Sequence, residues 1–158
     1  MPFTVLLVCT GNTCRSAMAE GVLRSMLPEA RRGTIRVESA GTAGLVGAPA
    51  SDHARDVCGD RGVDISEHRS QALTPEVAAR ADLILAMTHG HVQQIVAISP
   101  ESAGRTFLLS EFADGSDVDV PDPIGAPRDE YEHACEMIAG YLAKSLPTIV
   151  RLAGEEEQ

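Results

Sequence analysis

The hydrophobic positions of this chain form short, unbroken apolar runs, separated by longer stretches in which apolar and polar residues are mixed. The runs, such as Leu83-Ile84-Leu85, lack the alternation of a half-exposed strand and favour a parallel sheet buried on both faces. The mixed stretches favour helices. The expected strands are 3–9, 34–38, 82–86 and 105–109, and the expected helices are 16–27, 51–61, 74–80, 88–98 and 128–146. This alternation predicts an α/β fold, a doubly wound sheet with helices on each side.

Residues with special backbone preferences mark several boundaries of these elements. The run Thr74-Pro75-Glu76 predicts a helix start, because it supplies a cap, a preset φ and an acidic first turn. Thr88 is expected to cap a later helix. Pro147 should kink or end the last helix near Leu146, since it has no N–H to donate. The acidic tail at 154–158 is expected to fray.

Composition narrows the class of protein. With 158 residues, 44% of them apolar, the chain is long enough for a single globular domain, residues 1–158. Aromatic residues make up 3%, so the core is expected to be aliphatic. The net charge of −10 argues against nucleic acid as a partner.

No apolar stretch is long enough to span a bilayer and no signal peptide is recognised, so no membrane partner is expected. Four cysteines do not suggest a disulfide scaffold, which favours the reducing cytoplasm.

The most informative chemistry lies where the first strand meets the first helix, in the run Val8-Cys9-Thr10-Gly11-Asn12-Thr13-Cys14-Arg15-Ser16. A strand that turns into a helix N-terminus forms an anion site, because the first helical N–H groups are unpaired and lie at the positive end of the helix dipole. A cysteine at that end, here Cys9, ionises easily to a nucleophilic thiolate. Arg15 could hold two phosphate oxygens. Gly11 and Asn12 tolerate the positive φ that points N–H groups inward.

Ser16 could donate a hydrogen bond to the sulfur of Cys9 and further favour the thiolate. A simpler interpretation is that Cys9 only ends a buried strand and Ser16 only caps a helix, although capping and anion binding use the same backbone. No Gly-Lys-Ser/Thr follows, so this is not a nucleotide loop of the Walker type. A nucleophile that faces a bound phosphate predicts a phosphatase.

At these residues the chain resembles the low-molecular-weight protein tyrosine phosphatase family, and most closely its protein-arginine phosphatase branch. Further matches follow in the family order, namely Ser39-Ala40-Gly41-Thr42, His68, Ala81-Asp82-Leu83-Ile84-Leu85-Ala86-Met87-Thr88-His89 and Asp122-Pro123. The resemblance covers nearly the whole chain, to about Leu146. It implies a three-layer α/β/α domain with four parallel strands in the order 2-1-3-4. The phosphate loop then lies at the carboxyl end of strand one, where open α/β sheets bind ligands.

The resemblance also implies roles outside the loop. One carboxyl group can protonate the leaving group and then activate water. Asp122 is the expected general acid because Asp122-Pro123 resembles the family's acid motif, and Asp119 is the second candidate; Asp114 and Asp117 lie in the same segment. Asn12, Ser39 and His68 match family positions whose hydrogen bonds hold the phosphate loop open.

The remaining cysteines and histidines receive different interpretations. In the family, a cysteine placed like Cys14 can form a protective, reversible disulfide with the nucleophile. Cys58 and Cys135 occupy apolar positions of helices and are expected in the core. His89 and His91 do not share a helix face, have no evident third ligand and are expected to be solvated, so no metal is expected.

The expected substrate depends on Thr13. In the family that the chain resembles, tyrosine phosphatases carry a bulky aliphatic residue there and the arginine branch carries Thr, whose hydroxyl could hold the attacking water or a polar leaving group. Asp122 could pair with the guanidinium of phosphoarginine before protonating it. The tyrosine branch places aromatic residues after its Asp-Pro, and the arginine branch often places Phe there. Ile124 departs from both patterns.

We therefore expect a cytoplasmic protein phosphatase that works through a cysteinyl-phosphate, with phosphoarginine favoured and phosphotyrosine second. Cys9 would be the nucleophile, and the N–H groups of 10–15 with Arg15 would hold the phosphoryl oxygens. The expected partner is a phosphorylated protein, with no cofactor, and the enzyme is expected to be a monomer.

Two alternatives remain open at this point. Arsenate reduction on the same fold would need two further cysteines as a disulfide relay, and Cys58 and Cys135 are far apart in the sequence. A phosphate-binding protein without catalysis would normally lack one of Cys9, Arg15 and Asp122, and all three are present.

Overall fold

The fold is built on a parallel four-stranded sheet. The structure is a computed structural model that describes residues 1–156. Its strands are β1 (Phe3–Cys9), β2 (Ile35–Gly41), β3 (Leu83–Ala86) and β4 (Thr106–Leu108). They are parallel and lie in the order β2-β1-β3-β4, which confirms the expected order.

Helices cover both faces of this sheet. They are α1 (Arg15–Met26), α2 (Asp52–Asp60), α3 (Pro75–Ala79), α4 (His89–Ile98), α5 (Leu109–Asp114) and α6 (Arg128–Glu156), with 3-10 turns at Glu29–Arg31 and Pro100–Arg105. The five expected helices are all present. The side chains of Thr74 and Thr88 accept hydrogen bonds from the first turns of α3 and α4, as predicted for caps. Helix α5 and both 3-10 turns were not predicted.

Alternating side chains of β1 divide the core into two layers. Val5 and Leu7 pack with α1, α2 and α6 on one face, whereas Leu6 and Val8 pack with α3 and α4 on the other. All four side chains are almost completely buried. The three-layer α/β/α arrangement is therefore confirmed, and it places the carboxyl end of β1 between the two helical layers.

Helix α6 does not end at Pro147, so the prediction of a kink or stop near that residue was wrong about the end of the helix. Pro147 is exposed, and water can satisfy the carbonyl that loses its partner four residues earlier. Beyond it, Ile149 and Ala153 are completely buried in the core. Burial of an isoleucine stabilises by about 1.5–3 kcal/mol, comparable with the ~3 kcal/mol that an internal proline costs. Helix α6 includes 154–156, and 157–158 lie outside the described residues.

The outward edge of β2 is covered at three alternate positions. Arg24 Nη2 donates to the carbonyl of Val37 at 2.7 Å, and Gln71 Nε2 donates to the carbonyl of Ser39 at 2.9 Å. Gly41 then pairs in parallel with Ala72. These contacts satisfy the backbone groups that an edge strand otherwise leaves open.

Among the described residues, no helix is long and apolar enough to cross a membrane.

Candidate active site

The loop between β1 and α1 is an open cradle of backbone donors. Cys9 ends β1, Arg15 begins α1, and the residue before it, Cys14, provides no side-chain cap. Within residues 1–156, nothing accepts a hydrogen bond from the backbone N–H groups of residues 11–14. A loop with several free N–H groups at a helix N-terminus is suited to bind an anion.

Asn12 holds the shape of this loop. It is completely buried and has a φ of 59°, the left-handed conformation that its residue type tolerates. Its Nδ2 donates to the hydroxyls of Ser16 and Ser39, each at 2.8 Å, and its Oδ1 accepts from the backbone N–H of Gln71 at 2.9 Å. The Nε2 of His68 donates to its carbonyl at 2.6 Å. The structure thus brings Asn12, Ser39 and His68 together as expected from the resemblance.

Ser16 lies directly against the sulfur of Cys9. The two side chains are 2.9 Å apart, and the backbone N–H of Ser16 donates to the same sulfur at 3.4 Å. Because the Ser16 oxygen already accepts from Asn12, its own hydrogen is free to donate to the sulfur. These two contacts hold the Cys9 sulfur in a fixed position at the start of the loop.

Glycine is required at one place beside the loop, but not at the position that the sequence suggested. Gly11 does not adopt a positive φ, and a Cβ there would meet only the Thr13 hydroxyl, at 3.7 Å. A Cβ on Gly41 would lie 2.5 Å from the carbonyl oxygen of Thr10. Gly41 lets β2 approach the loop backbone, a role that the sequence did not reveal.

Arg15 is buried and held in place by groups from a distant segment. Its Nη1 donates to the carbonyl of Val120 at 3.0 Å, and its Nη2 lies 3.5 Å from Asp122 Oδ2. Its Nε is buried without a hydrogen-bond partner in the described part of the chain. A buried guanidinium donor needs an acceptor, and an oxygen of a bound phosphoryl group would supply one.

The four aspartates of the 114–122 segment differ sharply in their surroundings. Asp114 pairs with Lys144 at 2.8 Å, and this contact, together with hydrogen bonds from Ser116, lowers the pKa of Asp114 to about 2. Asp117 and Asp119 both pair with His89, and Asp119 also accepts from the backbone N–H at the start of α4. Of these four aspartates, Asp122 is the one paired with Arg15, and its side chain remains 43% exposed.

The prediction of solvated histidines was wrong for His91. His89 is exposed, but the ring of His91 is buried between α4 and the phosphate loop. Its Nε2 lies 2.8 Å from the Thr10 hydroxyl and its Nδ1 lies 3.0 Å from the Thr88 hydroxyl. The cap that Thr88 places on α4 turns this ring inward, an effect that helix spacing alone did not show.

Cys14 packs behind the loop among polar side chains. Its thiol donates to the Ser51 hydroxyl at 3.5 Å and lies 3.6 Å from the Tyr131 hydroxyl. Ser51, which caps α2, and Tyr131, which lies in α6, were not recognised from the sequence because they are far from the loop along the chain. Cys9 and Cys14 are both free thiols in this structure, and the disulfide between them stays a prediction.

Cys58 and Cys135 are completely buried, which confirms that they belong to the core. The sequence separates them, yet α2 and α6 bring their thiols into contact, and the hydrogen bond between the two thiols raises the pKa of Cys58. Because both side chains are inaccessible, neither could pass a disulfide to an external reductant. Their burial therefore argues against the arsenate-reductase alternative.

In the described part of the chain, no group of three or more histidine, cysteine or acidic side chains could hold a metal ion.

A free thiol under a cradle of N–H groups, on a parallel sheet of this order, is the arrangement of a cysteine-dependent phosphatase. A family profile described as "Low molecular weight phosphotyrosine protein phosphatase" matches residues 4–153. The chain belongs to this low-molecular-weight phosphatase family.

Relatives with two different names are equally similar to this chain. A low molecular weight protein-tyrosine-phosphatase, Etp of Escherichia coli K12, is 41% identical over 135 residues, which cover 85% of this chain and 86% of the relative. A protein-arginine-phosphatase of Geobacillus stearothermophilus is also 41% identical, over 152 residues that cover 94% of this chain and 99% of the relative. Sequence identity alone therefore does not separate the two substrates.

One solved structure bears on the chemistry. It is a mutant of the arginine phosphatase YwlE in which serine replaces a cysteine and the active-site serine is phosphorylated. It superposes on this chain with a TM-score of 0.83 and 33% sequence identity, covering 99% of this chain and 97% of the solved one.

Proposed function

We propose that this enzyme hydrolyses phosphorylated protein side chains through a cysteinyl-phosphate intermediate, with phosphoarginine as the first substrate. The observation that carries the proposal is the arrangement around Cys9. Its sulfur, held by Ser16, lies at the foot of the unpaired loop N–H groups, with the buried Arg15 alongside. A phosphoryl group bound to those donors would face the sulfur.

In the first step, the Cys9 thiolate attacks phosphorus, so that a sulfur–phosphorus bond forms and the bond to the leaving group breaks. The loop N–H groups and Arg15 stabilise the charge on the phosphoryl oxygens in the transition state. Asp122 gives its proton to the departing nitrogen or oxygen. Its pairing with Arg15 and its exposed side chain favour Asp122 over Asp119, whose carboxylate is engaged by His89.

In the second step, water attacks the cysteinyl-phosphate, and Asp122 now accepts the proton of that water. The sulfur–phosphorus bond breaks, and phosphate and the thiolate are released. The phosphorylated serine of the YwlE mutant supports a covalent intermediate at the equivalent step, because serine is the closest substitute for a cysteine nucleophile.

The preference for phosphoarginine is supported by Thr13, the residue type of the arginine branch, whereas Ile124 matches neither branch. Thr13 is half-buried in the loop, and its hydroxyl lies 3.8 Å from the Cys14 sulfur. The exposed residue after the Asp-Pro pair is Ile124, which offers no ring to stack on phosphotyrosine. The relative named a protein-arginine-phosphatase covers the larger part of this chain.

The test compares kcat/KM on phosphoarginyl and phosphotyrosyl versions of one peptide. The wild type should prefer the phosphoarginyl peptide, and Thr13→Ile should shift the ratio towards phosphotyrosine. Cys9→Ser should abolish turnover, whereas Cys58→Ala, which removes a buried thiol outside the site, should retain it. Wild-type turnover by Cys9→Ser would refute the mechanism. A clear preference of the wild type for phosphotyrosine would refute only the substrate.

A further inference from the structure

His91 is a buried titratable side chain that the proposed mechanism does not use. It is 4% exposed, although it stands in the first turn of α4, where a polar residue is usually solvated. Both ring nitrogens are engaged, Nδ1 by the Thr88 hydroxyl and Nε2 by the Thr10 hydroxyl. A ring held at both nitrogens has a fixed orientation.

The charged groups that face this ring are Arg15, Asp119 and Asp122. Burial, and then the Arg15 guanidinium, lower the pKa of His91 to about 4, against the opposing influence of Asp119 and Asp122. At neutral pH the ring is therefore uncharged. The His91 ring therefore adds no positive charge to the cleft. The guanidinium of a substrate can then approach the wall of the cleft beside Arg15 without repulsion from this ring.

Thr10 connects this ring to the mouth of the cleft. It directly follows Cys9 and is exposed, whereas His91 behind it is buried. Its carbonyl is already bonded to the backbone N–H of Ala43 at 2.9 Å, so the backbone at this point is fixed. A hydroxyl has three hydrogen-bonding positions, and the contact with His91 uses one of them. In the described part of the chain the Thr10 hydroxyl has no other hydrogen-bond partner, and because Thr10 is exposed its remaining positions are open to a ligand.

We propose that His91 is a positioning residue that fixes the Thr10 hydroxyl on the wall of the phosphate loop as an acceptor for the leaving group of phosphoarginine. This inference rests on the proposed function, since it concerns selection at the same site. The guanidino group of phosphoarginine carries N–H donors that the Thr10 oxygen can accept, whereas the ring of phosphotyrosine carries none. A polar group placed for one substrate discriminates against an analogue that cannot pair with it.

The experiment is a double-mutant cycle with Thr10→Val and His91→Leu, measured as kcat/KM on the phosphoarginyl and phosphotyrosyl peptides. Each single substitution should lower kcat/KM for the phosphoarginyl peptide by about tenfold, the effect of one charge-assisted hydrogen bond. The phosphotyrosyl reaction should change by less than about threefold, since it does not use this bond. The double variant should lose no more than either single variant, because both remove the same interaction.

Conservative and control variants separate positioning from a structural role. Thr10→Ser and His91→Gln should recover most of the phosphoarginyl activity, because each retains a hydrogen-bonding group. His133→Gln, at an exposed position of α6, should behave as the wild type. Inhibition by inorganic phosphate should be unchanged in all variants, which would show that the loop N–H groups are intact.

Three outcomes would overturn the inference. They are additive losses in the cycle, equal losses on the two substrates, and weaker inhibition by phosphate that accompanies every loss. The substrate preference of the wild type is a separate result. If the wild type prefers phosphotyrosine, the substrate part of the proposed function fails, but the cycle still reports whether His91 and Thr10 act together on the phosphoarginyl peptide.

The ring itself offers an independent readout through nitrogen chemical shifts of His91. In the wild type they should show one neutral tautomer, and Thr10→Val should give a mixture because Nε2 loses its partner. The same mixture in wild type and variant would contradict the inference.

Discussion

Asn12 shows how one side chain offsets the strain of its own backbone. A left-handed conformation costs a residue other than glycine about 1–2 kcal/mol. The side chain and carbonyl of Asn12 make four hydrogen bonds to groups from three other segments of the chain. Each is worth about 0.5–1.5 kcal/mol, so their sum exceeds the strain. The phosphate loop is therefore built before any substrate arrives.

The proposed role of Asp122 as the general acid can be measured directly. Asp122→Asn removes the proton donor but retains a side chain of the same size. We expect kcat to fall by about 10²–10⁴-fold on leaving groups that need a proton, and much less on an aryl phosphate with a good leaving group. Steady-state kinetics across a series of aryl phosphates of increasing leaving-group pKa would measure this as a steeper dependence than in the wild type.

Asp119→Asn provides the matched control for that series. Because its carboxylate is engaged by His89 and by the start of α4, this substitution should leave the dependence on the leaving group unchanged. If Asp119→Asn and not Asp122→Asn steepened the dependence, the assignment of the acid would be reversed.

His89 should make stability depend on pH. The hydrogen bond to Asp119 is the main influence that raises the pKa of His89 above its ordinary 6.5, with Asp117 adding to it. A group with a raised pKa in the folded state stabilises fully below its unfolded pKa and loses that contribution as pH rises through its folded pKa. The Tm of the wild type should exceed that of His89→Gln at about pH 5.5, and the difference should shrink towards about pH 9. A difference that grows with pH would contradict this prediction.

The parts of the site that the sequence could predict are those that are contiguous or match a family motif. Cys9, Arg15 and Ser16 lie in one loop, and Asp122 was chosen from four aspartates only through its resemblance to a motif. His91 could not be predicted, because its burial depends on how α4 packs against a loop 81 residues away. Ser51 and Tyr131 could not be predicted for the same reason, since their contacts with Cys14 depend on the packing of distant segments.

At the scale of elements, β2 approaches the backbone of the phosphate loop closely at Gly41. Gly41→Ala would place a methyl group 2.5 Å from the Thr10 carbonyl oxygen, a backbone atom that cannot move aside without the loop. We expect this variant to lose most of its affinity for inorganic phosphate and at least about 1–3 kcal/mol of unfolding free energy. Inhibition constants and urea denaturation would measure the two effects.

Gly140→Ala is the matched control for that substitution. Gly140 lies in α6 with no atom within 4 Å of the added Cβ. Alanine there should stabilise the protein by about 0.5–1 kcal/mol, since glycine is the weaker helix former. If both substitutions had the same effect on phosphate inhibition, crowding at Gly41 would not be the cause.

Elements were predicted well where the apolar pattern was long. They were predicted poorly where tertiary packing determined the type of element or the place where it ends. The first strand was predicted at its observed bounds, and the five helices that were predicted differ from the observed ones by only a residue or so at most ends. Helix α5 was missed because it follows β4 without a turn, so its apolar residues extended the strand pattern. Pro147 carried a strong local preference that the buried residues after it outweighed.

At the scale of the whole molecule, the site is a small cationic spot on an acidic body. The chain carries a net charge of −10, so its field repels an anionic substrate before the loop can bind it. For a phosphopeptide flanked by glutamates, kcat/KM should rise as salt increases from about 0.02 to 0.5 M, because screening weakens the repulsion. For the same peptide flanked by lysines it should fall. Stopped assays at matched pH would measure both trends, and identical trends would exclude steering by the net charge.

The covered edge of β2 has a consequence for how this protein behaves when it is concentrated or refolded. Sheets grow into aggregates when a strand of a second chain adds to an open edge. On this side an incoming strand would first have to displace Arg24, Gln71 and the pairing of Gly41 with Ala72. At the opposite end, β4 is only three residues long and gives a poor template. The folded sheet is therefore closed to fibril-like extension from both ends, and aggregation would have to begin from unfolded chains.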